Sequence, residues 1–151
     1  MITLNDIITA AKKAILKKYP GETVYTNAVP SGFQRPSFYI EATGLTLTPD
    51  SCGAVRITAK IHIACFENVD AYHNSQIESL NIRQMAVIGL FAPLYLRVGD
   101  RALDVVKIEG GADWQDCADV TVTLAWEEDM TEFEQIAQLP TAETVAIRLE
   151  E

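Results

Sequence analysis

The sequence predicts an α+β fold in which a mostly antiparallel β-sheet packs, in two layers, against two helices. The chain has 151 residues, which suffices for one domain with a core but scarcely for two. Apolar residues recur with the helical period in two long segments and alternate with polar residues in several others. Strands that cluster around two helices are typical of a two-layer α+β domain.

The first predicted helix runs from about Leu4 to Lys18. Thr3 and Asp6 have the spacing of a capping box at its start. Pro20-Gly21 ends it, and a short strand is expected around Val24-Tyr25. The apolar positions that recur at helical spacing are Leu4, Ile8, Ala11 and Ile15.

A long antiparallel hairpin is predicted next, from strands at Ser37–Leu47 and Val55–Phe66. Gly44 is expected to bend or bulge the first strand. The segment Thr48–Gly53 has turn composition and forms the tip, which could extend beyond the domain. One face of the second strand is apolar throughout, at Ile57, Ala59, Ile61, Ile63 and Cys65.

The second helix is predicted from about Ala71 to Phe91, with Ile77 and Leu80 facing inward. Its second half, Met85–Ala92, is apolar nearly all round. A helix with no polar side is expected to be buried on every side. Because a small domain rarely buries a whole helix turn alone, we expect this half to contact another subunit as well.

The rest of the chain predicts a tight hairpin, a loop and one more strong strand. The hairpin turns at Gly99-Asp100, and the glycine-rich segment Glu109–Cys117 is expected to be a loop. The strand alternates through Val120, Val122, Leu124 and Trp126. Residues 1–130 are therefore expected to form the domain, and 131–151 an acidic tail or arm. A weak alternation at Val145–Leu149 in that tail could add an edge strand.

The net charge of −9 is concentrated near the C-terminus, since residues 127–151 hold eight acids and one base. An acidic chain repels phosphate, so specific nucleic-acid binding is not expected. No apolar run is long enough for a membrane span, and the first residues do not resemble a signal peptide. We therefore expect assembly in a cytoplasm. The odd cysteine count, at irregular spacing, predicts reduced structural thiols.

The residues that most often carry chemistry show no catalytic pattern. His62 and Cys65 are three apart on a strand, so they face opposite ways and cannot clasp one metal. His73, the pair Asp100 and Asp104, and the run Glu127–Asp129 are each better explained as solvated surface groups. Neither a phosphate-binding glycine loop nor a nucleophile elbow is present. The sequence predicts no enzyme, cofactor or metal site.

Several features of residues 3–126, in this order, resemble the tail terminator, or tail completion, proteins of long-tailed phages of Gram-positive hosts. They are the opening helix ending in Tyr19-Pro20, Val24-Tyr25, "GFQRPSFYI" (32–40), "RITAKIHIACF" (56–66) and the long second helix. The resemblance implies a hexameric ring at the head-proximal end of the tail tube. Such a ring would stop addition of the tail tube protein and dock the head-completion or connector protein. The protein would then be a structural part of the virion, assembled in the host cytoplasm.

The resemblance also suggests which residues make contacts between proteins. They are the hairpin tip, the 31–35 loop and the loop with Trp114, through Phe33, Arg35, Pro49, Asp50, Ser51 and Trp114. Trp114 could equally fold back over the sheet edge. Three other functions remain open: another neck protein, such as a head–tail connector or completion protein; a small ligand-binding domain; and a bacterial adaptor domain of unrelated role.

Overall fold

The computed structural model describes residues 1–72, 74–113 and 116–137, and it shows a mixed α+β fold. Within this part of the chain there are six strands in one sheet and three helices, one helix more than predicted. In chain order the elements are α1 (Leu4–Lys18), β1 (Thr23–Tyr25), β2 (Ser37–Pro49), β3 (Ala54–Phe66), α2 (Ile77–Leu90), β4 (Tyr95–Val98), β5 (Arg101–Asp113), β6 (Cys117–Asp129) and α3 (Met130–Ala137).

The sheet has the strand order β1-β2-β3-β6-β5-β4. Only β1 and β2 are parallel, and every other neighbouring pair is antiparallel, which confirms the prediction of a mostly antiparallel sheet. Both long helices contribute to one core with the sheet, so they cover the same side of it. We call this side the helix face and the opposite side the outer face.

Helix α1 has the predicted bounds and the predicted capping box. The Thr3 hydroxyl accepts a hydrogen bond from Asp6 N at 3.2 Å, and the Asp6 carboxylate accepts one from Thr3 N at 2.8 Å. Because these bonds satisfy amides that have no partner within the helix, they fix where it begins. Helix α1 packs against β4 and β2, through its buried residues Ile7, Ala11 and Ile15.

The predicted hairpin is confirmed: β2 and β3 have 13 residues each and pair along their whole length. A register shift between Ala42 and Gly44 is the expected bulge. Strand β6 accompanies β3 as far as Asp129, and Met130 N donates to the Gly53 carbonyl at 2.8 Å. The tip is therefore held by β6 and does not project alone.

Helix α2 begins at Ile77, so the predicted start at Ala71 is wrong. The Asp70 carboxylate accepts hydrogen bonds from the backbone N–H groups of Tyr72 and Asn74, at 2.8 and 3.0 Å. Such bonds offer the backbone an alternative to the helix. Leu80 is buried as predicted, whereas Ile77 is exposed, since it stands at the delayed first turn.

The single chain does not bury the second half of α2 on every side, so its complete burial depends on the predicted contact with another subunit. Val87 and Phe91 are fully buried against the sheet, but Met85 is 64% exposed. Ile82, one turn before it, is 66% exposed. One apolar side of α2 therefore covers the helix face and another points outward, where its contact with a further subunit stays a prediction.

The predicted tight hairpin at Gly99-Asp100 is confirmed, but the loop predicted over Glu109–Cys117 is wrong, because β5 continues to Asp113. Gly110 permits this: a Cβ there would lie 3.1 Å from the side-chain amide nitrogen of Gln84 on α2. The missing side chain of Gly110 therefore leaves room for Gln84 of α2 to pack on the strand, and the glycine does not form a turn. Helix α3 occupies the first residues of the predicted tail, and the weak strand at Val145–Leu149 lies outside the described residues.

Candidate functional site

Phe33, in the 31–35 loop, packs within its own chain. Its ring lies 4.7 Å from that of Phe66 and 6.3 Å from that of Tyr25. The Arg35 guanidinium stacks 4.7 Å above the Phe33 ring. These contacts form a small apolar cluster at the end of β3, separate from the main core.

Arg35 ties the same loop to two other parts of the chain. It donates to the Asp116 carboxylate at 2.7 Å and to the Glu67 carbonyl at 3.2 Å. Its side chain is only 17% exposed. Phe33 and Arg35 therefore hold their loop in place, and a role for either of them in binding another protein stays a prediction.

Of the two predicted contact elements that the structure describes, the hairpin tip is the more exposed. Pro49, Asp50 and Ser51 are all exposed. Asp50 N donates to the Ala54 carbonyl at 3.2 Å, and Ala54 N donates to that of Ser51 at 2.9 Å. These bonds, with the hold of β6 on Gly53, give the tip a defined shape.

The tip is also acidic. A hydrogen bond with the Asp50 carboxyl, and repulsion from its charge, raise the pKa of Glu127. Arg56, 3.8 Å from Glu127, acts in the opposite direction. A cation from another molecule would relieve this repulsion between carboxylates. Trp114, the sixth predicted contact residue, lies outside the described residues.

The candidate catalytic residues do not converge. His62 lies on the outer face between Glu41 and Asp119, at 3.2 and 3.4 Å. Cys65 lies on the helix face, where burial raises the pKa of its thiol to about 12. The predicted separation of His62 from Cys65 is thus confirmed, whereas His73 is outside the described residues. Among those residues, no three His, Cys, Asp or Glu side chains group as a metal site would require.

Sequence reasoning missed a buried ion cluster around Arg83 of α2. The Arg83 side chain is 6% exposed; it donates to Glu22 at 3.0 Å and to Glu67 at 2.6 Å. Its guanidinium also lies 4.8 Å from the ring centroids of Tyr19 and Phe38. The available signal was spacing, because an arginine three residues after Leu80 lies on the inner side of the helix.

A second missed residue is Glu128, within the acidic run at the end of β6. One of its oxygens accepts hydrogen bonds from Ile2 N, from the Trp126 indole and from Arg101, at 3.1, 3.1 and 2.7 Å. Its neighbours Glu127 and Asp129 are exposed, as expected for a strand that alternates. Glu128 therefore joins the N-terminus to β5 and β6 and is a structural residue.

A cleft between α1 and the β4–β5 turn is mixed in charge: Lys13, Arg97 and Arg101 are opposed there by Asp6 and Asp100. No helix in the described ranges has the length and apolar character needed to cross a bilayer. The exposed surfaces, rather than a cavity, are the candidate functional sites.

Comparison with known proteins identifies the family. A search of curated proteins found no match. The family model described as "Phage tail terminator protein" matches residues 6–127. The match includes α1 from Asp6, the long hairpin, α2 and β6 as far as Glu127, which is most of the chain. This chain therefore belongs to the phage tail terminator protein family.

Proposed function

We propose that copies of this protein close into a hexameric ring on the head-proximal end of a phage tail tube. The ring stops further addition of the tail tube protein and presents the surface to which a head-completion or connector protein binds. The observation that carries the proposal is the family match over residues 6–127. The protein acts by the surfaces it presents and makes or breaks no bond.

The surface of the single chain supports assembly. A closed ring of identical subunits needs two different surfaces that fit each other. Two separate groups of exposed apolar residues are present: Leu45 and Leu47 on β2, and Ile82 and Met85 on α2. A stable contact of this kind buries roughly 800 Å² on each partner.

The charge of the protein supports a passage for DNA. With a net charge of −9, a ring would repel phosphate, so DNA could pass through it without binding. Titration of the purified protein with double-stranded DNA at low salt tests this point. We expect no binding up to high micromolar protein, and micromolar affinity would contradict the proposal.

The decisive experiment compares tails assembled with and without the protein, by electron microscopy. We expect tails of uncontrolled length when the gene is deleted, and tails of normal length when it is restored in trans. Tails of normal length that fail to join heads would instead indicate another neck protein. Normal phage yield from the deletion strain would reject both roles.

Mass measurement in solution, alone and with isolated tail tubes, tests the ring itself. We expect about six copies, either free or only on the tube. A protein that stays monomeric under both conditions would contradict the ring. If a small molecule then stabilised that monomer against heat, a ligand-binding function would be favoured.

A further inference from the structure

Strand β2 carries a long stretch of edge that no strand of the described residues pairs with. Strand β1 pairs only with Ser37–Tyr39. From Ile40 to Pro49, β2 has β3 on one side and no strand of the described residues on the other. An unpaired edge of this length is a template for another strand.

This edge lacks the usual protection. Residues 42–49 carry no charge, whereas natural edges are commonly guarded by lysine or other charges. Leu45 and Leu47 are 50% and 45% exposed on its helix-face side. Asp50 N donates to the Ala54 carbonyl, so it points toward β3. Backbone N–H groups point alternately to the two edges of a strand, so those of Leu45 and Leu47 point away from β3, toward the free edge. Pro49 is on the same alternation but has no N–H.

The opposite edge of the sheet has the complementary shape. Strand β4 is only four residues long and pairs with Arg101–Asp104, so the remainder of β5 extends past it. Strand β4 lies at the same height in the sheet as the free stretch of β2. Following paired residues from strand to strand leads from Tyr95 of β4 to Asp104, Ala125, Thr58 and finally Thr46 of β2. They place β1 level with the free stretch of β5, along the row Tyr25, Tyr39, Ala64, Asp119 and Gly111.

Each edge therefore has a short strand at one end and an open stretch at the other, in opposite order. We propose that neighbouring copies of this chain join edge to edge into one continuous sheet. In this contact β4 of one copy lies beside the free stretch of β2 in the next, and β1 of that next copy lies beside the free stretch of β5. This inference rests on the proposed ring and names its contact surfaces.

Strand directions agree with this arrangement. Four antiparallel steps separate β2 from β4, so the two strands point the same way and would pair in parallel. Strand β1, parallel to β2, runs opposite to β5 and would pair with it in the antiparallel sense. The two edges are different surfaces, as a ring contact requires.

Charge also agrees. Arg97 is exposed on the outer face of β4, and its hydrogen bond to the Gly99 carbonyl is long, at 3.5 Å. In the proposed contact it lies beside Thr48 of the next copy, two residues from Asp50. Asp50 and Glu127 place two carboxylates together there, and a guanidinium between copies would neutralise part of their repulsion.

Cysteine cross-linking tests the contact. In a Cys52→Ser background, Thr46→Cys and Tyr95→Cys place thiols on facing edges of neighbouring copies. Within one chain three strands separate these positions, a path of about 19 Å along the sheet. A disulfide within one chain would leave a monomer, whereas a disulfide between copies links chains into oligomers. The matched control pairs Thr46→Cys with Lys107→Cys, which lies on β5, one strand farther than β4 from Thr46 of the next copy. We expect a ladder of disulfide-linked oligomers from the first pair and none from the control.

Charge exchange gives a second, independent readout. Arg97→Asp alone and Asp50→Arg alone should each weaken self-association roughly tenfold, and the double variant should recover most of that loss. Recovery would not follow if either residue were only structural.

The outcomes separate the two proposals. Rings that form without the expected ladder, or without charge recovery, overturn the edge contact and leave the proposed function standing. A protein that stays monomeric, alone and on tail tubes, overturns both.

Discussion

Replacing Arg83 with methionine should destabilise the protein strongly, because the Arg83 side chain is only 6% exposed and is paired with two carboxylates. Methionine keeps much of the volume beneath Tyr19 and Phe38 but removes the guanidinium. Glu22 and Glu67, each only 19% exposed, would then keep negative charges with no cation between them.

The size of the effect follows from the burial of this cluster. Removing one partner of a buried ion pair costs about 3–5 kcal/mol, because an uncompensated charge remains. In a domain of this size each kcal/mol lowers Tm by about 2–4 °C, so we expect a fall of roughly 6–20 °C. Thermal and urea unfolding, followed by circular dichroism at fixed protein concentration, measure it.

The mechanism predicts a rescue. Adding Glu22→Gln and Glu67→Gln to Arg83→Met removes the stranded charges, so the triple variant should recover a large part of the lost stability. Lys17→Met is the matched control, since Lys17 is exposed on α1 and lies outside the proposed contact, and should change the free energy of unfolding by less than about 0.5 kcal/mol. A loss below about 1 kcal/mol for Arg83→Met, or no recovery in the triple variant, would refute the reasoning.

Two further predictions concern local contacts. Gly110→Ala should lower the free energy of unfolding by about 1–2 kcal/mol in urea, because its Cβ would displace the Gln84 amide from two backbone carbonyls. The control is Gly111→Ala, whose Cβ meets open space. Equal losses for the two variants would contradict this prediction. Thr3→Ala should cost about 1 kcal/mol by removing the cap of α1. The backbone N–H of Thr3 and its hydroxyl donate to the Asp6 carboxylate and lower its pKa below the ordinary 3.8. The part of the stabilisation that comes from the hydroxyl bond to this carboxylate is therefore present above pH 3.8 and lost as the pH falls through the lowered pKa, whereas the bond from Asp6 N to the hydroxyl does not titrate. A difference in stability between Thr3→Ala and wild type that stayed constant down to pH 2 would exclude Asp6 as the cause.

Elements with local signals were predicted well. The capping box marks the start of α1 and Pro20-Gly21 marks its end. Both signals lie next to the helix in the sequence, so its bounds could be predicted without knowing any tertiary contact. The alternation of β3 required only that one face be buried, and its odd-numbered residues from Val55 to Cys65 are buried. Gly44 predicted the bulge, because glycine in the interior of a strand often marks a bulge or a bend.

Elements whose type or bounds depend on contacts with distant residues were predicted poorly. Gly110 and Gly111 have turn composition, yet they lie in β5, because Gln84 of α2 occupies the space above the first of them. The start of α2 depended on whether Asp70 caps a helix or bonds its own turn. Of the candidate contact residues, Phe33 and Arg35 proved to pack within the chain, whereas the tip residues are exposed as loop composition suggests.

By itself the sequence determined the type of most elements and the family resemblance, because periodicity and caps are properties of neighbouring residues. Tertiary structure decided which charges are buried together: Arg83 meets Glu22 from 61 positions away. It also decided which edges are left unpaired among the described strands, since the order β1-β2-β3-β6-β5-β4 places β2 and β4 on opposite sides of the sheet. Both outcomes depend on pairing between distant segments, which no local pattern encodes.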